Sequence, residues 1–212
     1  MNIALVILLV IPIALAVWGT YSRRYYCNLG VTGSCALLLL LSGHMPGVLP
    51  LIAALAVSIV GDYFMAHQRS GRNYYLYGIC GFCVAHALYI WYAAMRFSFN
   101  WPAAIAAIVL AALYGVYLAM RVLPQANDMP MRIAICAYAS VSIMALAMAL
   151  CLSAPAIEKA LYALGVASIL FSDTIIAQSD FAGDDRFSFL IMPTYFGCHV
   201  LVTASVLIGA LL

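Results

Sequence analysis

Eight runs of mostly apolar residues, separated by short polar breaks, leave this chain little freedom in what it can fold into. The runs cover roughly residues 3–19, 28–43, 47–66, 74–96, 101–121, 131–153, 157–178 and 187–211. A helix needs about 20 such residues to cross the hydrocarbon core of a bilayer, and the runs approach that length, the second being the shortest. The breaks carry chain-turning residues, among them Gly43, Asn100, Pro102, Pro124, Pro130 and Pro155. Of the 212 residues, 67% are hydrophobic and 8% charged, too little polar surface to coat a soluble globule of this size. The expected fold is an all-α polytopic membrane helix bundle of about eight transmembrane helices, one integral membrane domain over residues 1–212.

Charge and cysteine content exclude several roles. A net charge of +2 with no stripe of Lys or Arg gives no field for nucleic acid, so no nucleic-acid partner is expected. The seven cysteines, Cys27, Cys35, Cys80, Cys83, Cys136, Cys151 and Cys198, are odd in number and sit mostly in apolar runs, which argues against a disulfide framework. Cys80-Gly-Phe-Cys83 has metal-site spacing but lies inside a hydrophobic run, where positions i and i+3 simply share a helix face. No cation precedes the first run and Arg23-Arg24 follow it, the reverse of a signal peptide, so a retained helix is expected there.

The cations also predict orientation, because Lys and Arg are held on the cytoplasmic side. Alternate loops and their flanks carry Arg23, Arg24, Arg69, Arg72, Arg121, Arg132 and Arg186, whereas the opposite loops carry only Arg96 and Lys159. Both termini are therefore expected on the non-cytoplasmic side, in a bacterial inner membrane. A short repeat is also visible. Ser58-Ile-Val-Gly-Asp62 resembles Ser168-Ile-Leu-Phe-Ser-Asp173, and a histidine follows each, His86 and His199. Such a match suggests two parallel four-helix halves, 1–97 and 98–212.

Among the acidic residues, Asp128, Glu158, Asp180, Asp184 and Asp185 are expected in or beside loops, leaving Asp62 and Asp173 inside the membrane. Each is expected about 6–8 Å from the cytoplasmic end of its helix at 1.5 Å per residue. A carboxylate there costs a few kcal/mol unless it finds a partner or a wet cavity, and no cation lies at similar depth. Two such acids side by side hold a proton between them, the arrangement used in general acid and base chemistry. Ser58 and Ser172 lie near them in sequence, and His86 with Tyr89 (i, i+3) and Tyr195 with His199 (i, i+4) share helix faces. These six are the candidate binding or orienting residues, and Asp62 and Asp173 the candidate catalytic pair.

Gly61-Asp62, Gly81-Phe-Cys-Val-Ala-His86-Ala-Leu-Tyr89, Gly165-Val-Ala-Ser-Ile-Leu-Phe-Ser-Asp173 and Thr194-Tyr195-Phe through Ser205, in this order, resemble the YhhN-like lysoplasmalogenases over the whole chain. The resemblance implies hydrolysis of the vinyl ether bond of a lysophospholipid substrate. The products would be a fatty aldehyde and glycerophosphoethanolamine or glycerophosphocholine. It also implies Asp62 and Asp173 as the central pair, with His86 and Tyr195 around them; the family pattern tends to have Gln where this chain has His199. Bilayer lipids are the other expected partners, and the chemistry requires no metal and no redox cofactor. The residues alone leave two other readings open: a Zn²⁺ hydrolase built on the same Asp and His residues, and a proton-coupled carrier of small amphiphiles.

Overall fold

A computed structural model describes residues 3–22, 25–44, 47–71, 73–126 and 128–212. Arg23, Arg24 and Arg72, on which part of the predicted orientation rests, lie outside the described residues. Eight helical spans form the bundle: α1 (Ile3–Ser22), α2 (Tyr25–Leu41), α3 (Leu49–Ala66), α4 (Tyr74–Ala94), α5 (Trp101–Gln125), α6 (Met129–Leu150), α7 (Ala156–Ala182) and α8 (Ser188–Gly209). Seven are long and apolar enough to cross a membrane; the exception is α2, with 17 residues.

The helix ends follow from local chemistry. Asn100 and Asp128 stand just before α5 and α6 and accept hydrogen bonds from the backbone N–H groups of Ala103 (3.1 Å) and Met131 (2.8 Å). Pro102 and Pro130 occupy the first turns, where a missing N–H is harmless. A left-handed Gly183 (φ 65°) ends α7. Two irregularities sit next to prolines, which remove a backbone donor and crowd the preceding turn. A turn at Leu8-Leu9 precedes Pro12 in α1, and α5 passes from α-helix into a π-helical segment, Leu118–Val122, before Pro124.

The most extensive packing joins α3 to α4 and α7 to α8, the two pairs that carry the intramembrane aspartates. Both are drawn close by glycine. A side chain at Gly81 of α4 would begin 3.2 Å from the Cα of Gly61 on α3, and one at Gly165 of α7 would begin 3.2 Å from the carbonyl oxygen of Cys198 on α8. The contacts α1–α2, α2–α3, α3–α4 and α2–α8 have counterparts four helices on, in α5–α6, α6–α7, α7–α8 and α6–α4. Helix α5 departs from this pattern. It leans on α6 and the adjoining part of α7, and is the least buried of the seven long spans.

A continuous apolar core, including Val31, Leu39, Leu55, Tyr89, Tyr162 and Phe196, fills the centre of the bundle. Exposed Trp18, Ile108, Leu113 and Leu164 form part of an apolar exterior suited to lipid.

Candidate active site

The two aspartates meet at one cavity. Asp62 lies four residues before the end of α3 at Ala66, while α7 runs a full turn beyond its expected end, so Asp173 lies nine residues before Ala182. Both nevertheless line a cavity of about 510 Å³, together with Tyr25 and Asn28 of α2, Gln68 after α3, and Tyr195 of α8. Ser179 and Asp180, near the end of α7, line it too, which places its mouth at the end of the bundle predicted to face the cytoplasm.

Each carboxyl is held by a tyrosine from another helix. Tyr195 Oη donates to Asp62 Oδ2 at 2.9 Å, and Asn28 approaches the same group from α2. Tyr138 of α6 donates to Asp173 Oδ2. Asp62 is buried, whereas Asp173 is only half-buried and keeps a face open to the cavity. A second, smaller cavity of about 70 Å³ adjoins the first, with Met65, Phe82, Asp173 and Ile176 bordering both. Asp173 therefore belongs to both spaces, and Asp62 only to the wider one.

The histidines stand one layer back. His86 and His199 are fully buried and line neither cavity. The ring of His199 meets that of Tyr195 edge-on at 4.6 Å, and that of His86 meets Tyr138 edge-on at 5.2 Å. His86 Nδ1 bonds the Phe82 carbonyl (2.9 Å), which leaves Nε2 without a partner among the described residues. Neither nitrogen of His199 has one. Each aspartate thus has a tyrosine in contact and a histidine behind that tyrosine.

Three other expected site residues serve the scaffold. Ser58 donates to the Ala54 carbonyl one turn back (2.9 Å), Ser172 donates to the Ile191 carbonyl on α8 (3.1 Å), and neither lines a cavity. Tyr89 is fully buried in the core, where its carbonyl accepts from Tyr162 Oη at 2.8 Å. Among the eight candidates, Asp62, Asp173 and Tyr195 reach the cavities. Asn28 and Tyr138 were not anticipated, although an amide in a short apolar run and a mid-helix tyrosine one turn before Ser142 were signals available in the sequence.

No Lys or Arg lines the larger cavity among the described residues. Arg186 is engaged with Asp184 through two contacts, of 2.8 and 2.6 Å. Its guanidinium holds the Asp184 carboxyl well below the usual carboxylate range. Nor do the ligands for Zn²⁺ assemble: no group of three His, Cys, Asp or Glu comes together among the described residues.

Glu158 requires a correction. Instead of lying solvated beside a loop, it is buried near the start of α7 at the opposite end of the bundle. Arg96 Nη1 donates to its Oε1 at 2.5 Å, and Tyr92 donates more weakly to the same oxygen (3.4 Å). Hydropathy does not show this, because the burial comes from the end of α8 closing over the residue. A side chain at Gly209 would collide with Glu158.

Comparison with known families decides the affiliation. The model of the YhhN family matches residues 5–206. This chain belongs to the YhhN family. No curated protein and no solved structure matches it. In this YhhN chain the two aspartates, 111 positions apart in sequence (173 − 62), share one membrane-embedded cavity.

Proposed function

We propose that this membrane protein is a lipid hydrolase that cleaves the vinyl ether bond of a lysoplasmalogen, with Asp62 and Asp173 as its acid and base. The observation that carries the reading is that Asp62 and Asp173 line one cavity, with Asp180 nearer its mouth and no cation among its described lining residues. Family membership supports it, through the resemblance already noted between these motifs and the YhhN-like lysoplasmalogenases.

The geometry suggests how the work divides. A vinyl ether lies where the polar head of a single-chain lipid joins its tail. Asp173 borders both the wider cavity, which carries the more polar lining, and the smaller, more apolar one. Protonated Asp173 delivers its proton to the alkene carbon on the chain side, and the adjacent carbon and ether oxygen become an oxocarbenium ion. Ionised Asp62, on the wider side, accepts a proton from water as that water attacks the cation, giving a hemiacetal. Transfer of the hemiacetal hydroxyl proton to Asp173 and of the Asp62 proton to the ether oxygen then breaks the C–O bond. Fatty aldehyde and glycerophospho-alcohol leave, and both carboxyls return to their starting states. The net reaction consumes one water. An acid and a base flanking an oxocarbenium-like transition state is also the logic of glycoside hydrolysis. Tyr195 and Tyr138 fix the carboxyls in place.

The acid cavity opens at the end of the bundle whose loops and flanks carry Arg69, Arg121, Arg132 and Arg186, so the headgroup enters from the cytoplasmic face of a bacterial inner membrane with both termini outside. The matching helix contacts in residues 1–97 and 98–212 support an origin in two parallel halves, each contributing one aspartate.

Purified protein incubated with a lysoplasmalogen should release fatty aldehyde, and Asp62→Asn and Asp173→Asn proteins should not. Proton-linked uptake of the lipid into liposomes without any product would instead support the carrier.

A further inference from the structure

The smaller cavity beside Asp173 borders another space. Its lining includes Leu118 of α5 and Ala139 of α6, and both also line a third space, an apolar groove of about 600 Å³ between α5 and α6. Ala104, Ala107, Ala111 and Gly115 form its α5 wall, and Ser140 and Ala147 stand on the α6 side. Three spaces therefore lie in series, each bordering the next through shared residues: the acid cavity, a small space beside Asp173, and an apolar groove.

We infer that the groove between α5 and α6 binds the single hydrocarbon chain of the lipid whose head occupies the acid cavity; the inference rests on the hydrolase reading of that cavity. Three observations select this occupant. The groove abuts the small cavity beside Asp173, with Leu118 and Ala139 bordering both, so a chain lying past Asp173 needs only those side chains to part to extend into it. Its direction is right: from Leu118 to Ala104 it runs about 21 Å at 1.5 Å per residue, away from the predicted cytoplasmic mouth and through the middle of the bilayer. Its α5 wall places Ala104, Ala107, Ala111 and Gly115 at helical spacing beside the larger Ile108 and Leu118, so small and branched apolar side chains together line an apolar channel between the two helices. The α5 wall is also the part of the bundle least held by its neighbours. Helix α5 is the least buried long span and carries the π-helical segment Leu118–Val122 where the groove meets the small cavity. A lipid chain can accordingly enter sideways from the bilayer without its tail crossing the polar mouth.

Gly115 gives the means of closing the groove without disturbing the fold, since a Cβ there meets no atom within 4 Å. The test uses full-length protein in nanodiscs and a non-cleavable alkyl-ether lysophospholipid with a diazirine near the end of its chain. Photolysis should label residues 104–147, and excess unlabelled single-chain lysophospholipid should compete that label away. In Gly115→Phe the label should fall by at least about tenfold, the size of an overpacking penalty. Aldehyde release from long-chain substrate should fall similarly, while short-chain substrate is still cleaved. Label spread evenly over the lipid-facing helices and not competed is ordinary bilayer contact and overturns the inference, as does undiminished label in Gly115→Phe. Competed label in the groove without aldehyde release from any substrate would retain the chain site and reject the hydrolase.

Discussion

The two ends of the bundle each bury acidic side chains, and they satisfy them in opposite ways. At one end Glu158 is only 5% exposed and lies 2.5 Å from Arg96, with Tyr92 completing the contact. At the other, Asp62 and Asp173 face a cavity with tyrosines and an amide as their neighbours and no cation among its described lining. A buried carboxylate ion-paired with a guanidinium has its charge matched inside the protein, and removing either partner leaves the other uncompensated. A carboxylate held by neutral donors and open to a cavity can exchange a proton. The Arg96–Glu158 end therefore reads as structure and the aspartate end as chemistry, and each substitution below should affect one without the other.

The largest effect is expected from Asp173→Asn, which preserves shape and hydrogen bonding but removes the exchangeable carboxyl proton. Aldehyde release should fall by about 10²–10⁴-fold, the usual contribution of a general acid or base, with melting temperature unchanged or raised. Asp62→Asn should behave alike. At the other end, Glu158→Gln leaves Arg96 without its anion. Because Arg96 is 37% exposed, the loss is put at about 2 kcal/mol, below the about 3–5 kcal/mol of a fully buried pair. Thermal unfolding in detergent should show it, while turnover per folded molecule stays at the wild-type level.

Smaller changes refine the contrast. Tyr195→Phe and Tyr138→Phe each delete a hydroxyl donated to a candidate catalytic carboxyl, so each should lower kcat about 10–100-fold, the equivalent of a hydrogen bond to a charged group. His199→Gln should have the mildest effect, within about tenfold, because His199 touches the ring of Tyr195 and not the cavity, and the amide also offers one donor and one acceptor. A collapse of activity in His199→Gln equal to that of Asp173→Asn would bring the histidine into the reaction itself.

Much of this architecture was legible in the chain because a bilayer forces it. Apolar runs of spanning length give the helices directly, and an acid within such a run stands out, which is how Asp62 and Asp173 could be singled out. Tertiary contacts were less visible. Glu158 sits beside Lys159 and the Pro155 break, at the edge of an apolar run, and looks solvated until the end of α8 is seen to cover it. Ser58 occupies the turn before Asp62, but its hydroxyl bonds back to Ala54, as serines in apolar helices commonly do. His86 and His199 share helix faces with residues near the aspartates, yet helix rotation directs them behind the tyrosines. Tyr138 belongs to a helix with no acidic residue, and only the α6–α7 contact brings it to Asp173.

One measurement reaches the central claim most directly. A defined lysoplasmalogen is incubated with wild-type, Asp62→Asn and Asp173→Asn proteins of matched melting temperature, and the aldehyde and glycerophospho-alcohol are quantified by mass spectrometry. The wild type should yield equal molar amounts of both products, and each variant should lose about a hundredfold or more of that yield. Undiminished product from either variant, or none from the folded wild type, would contradict that claim.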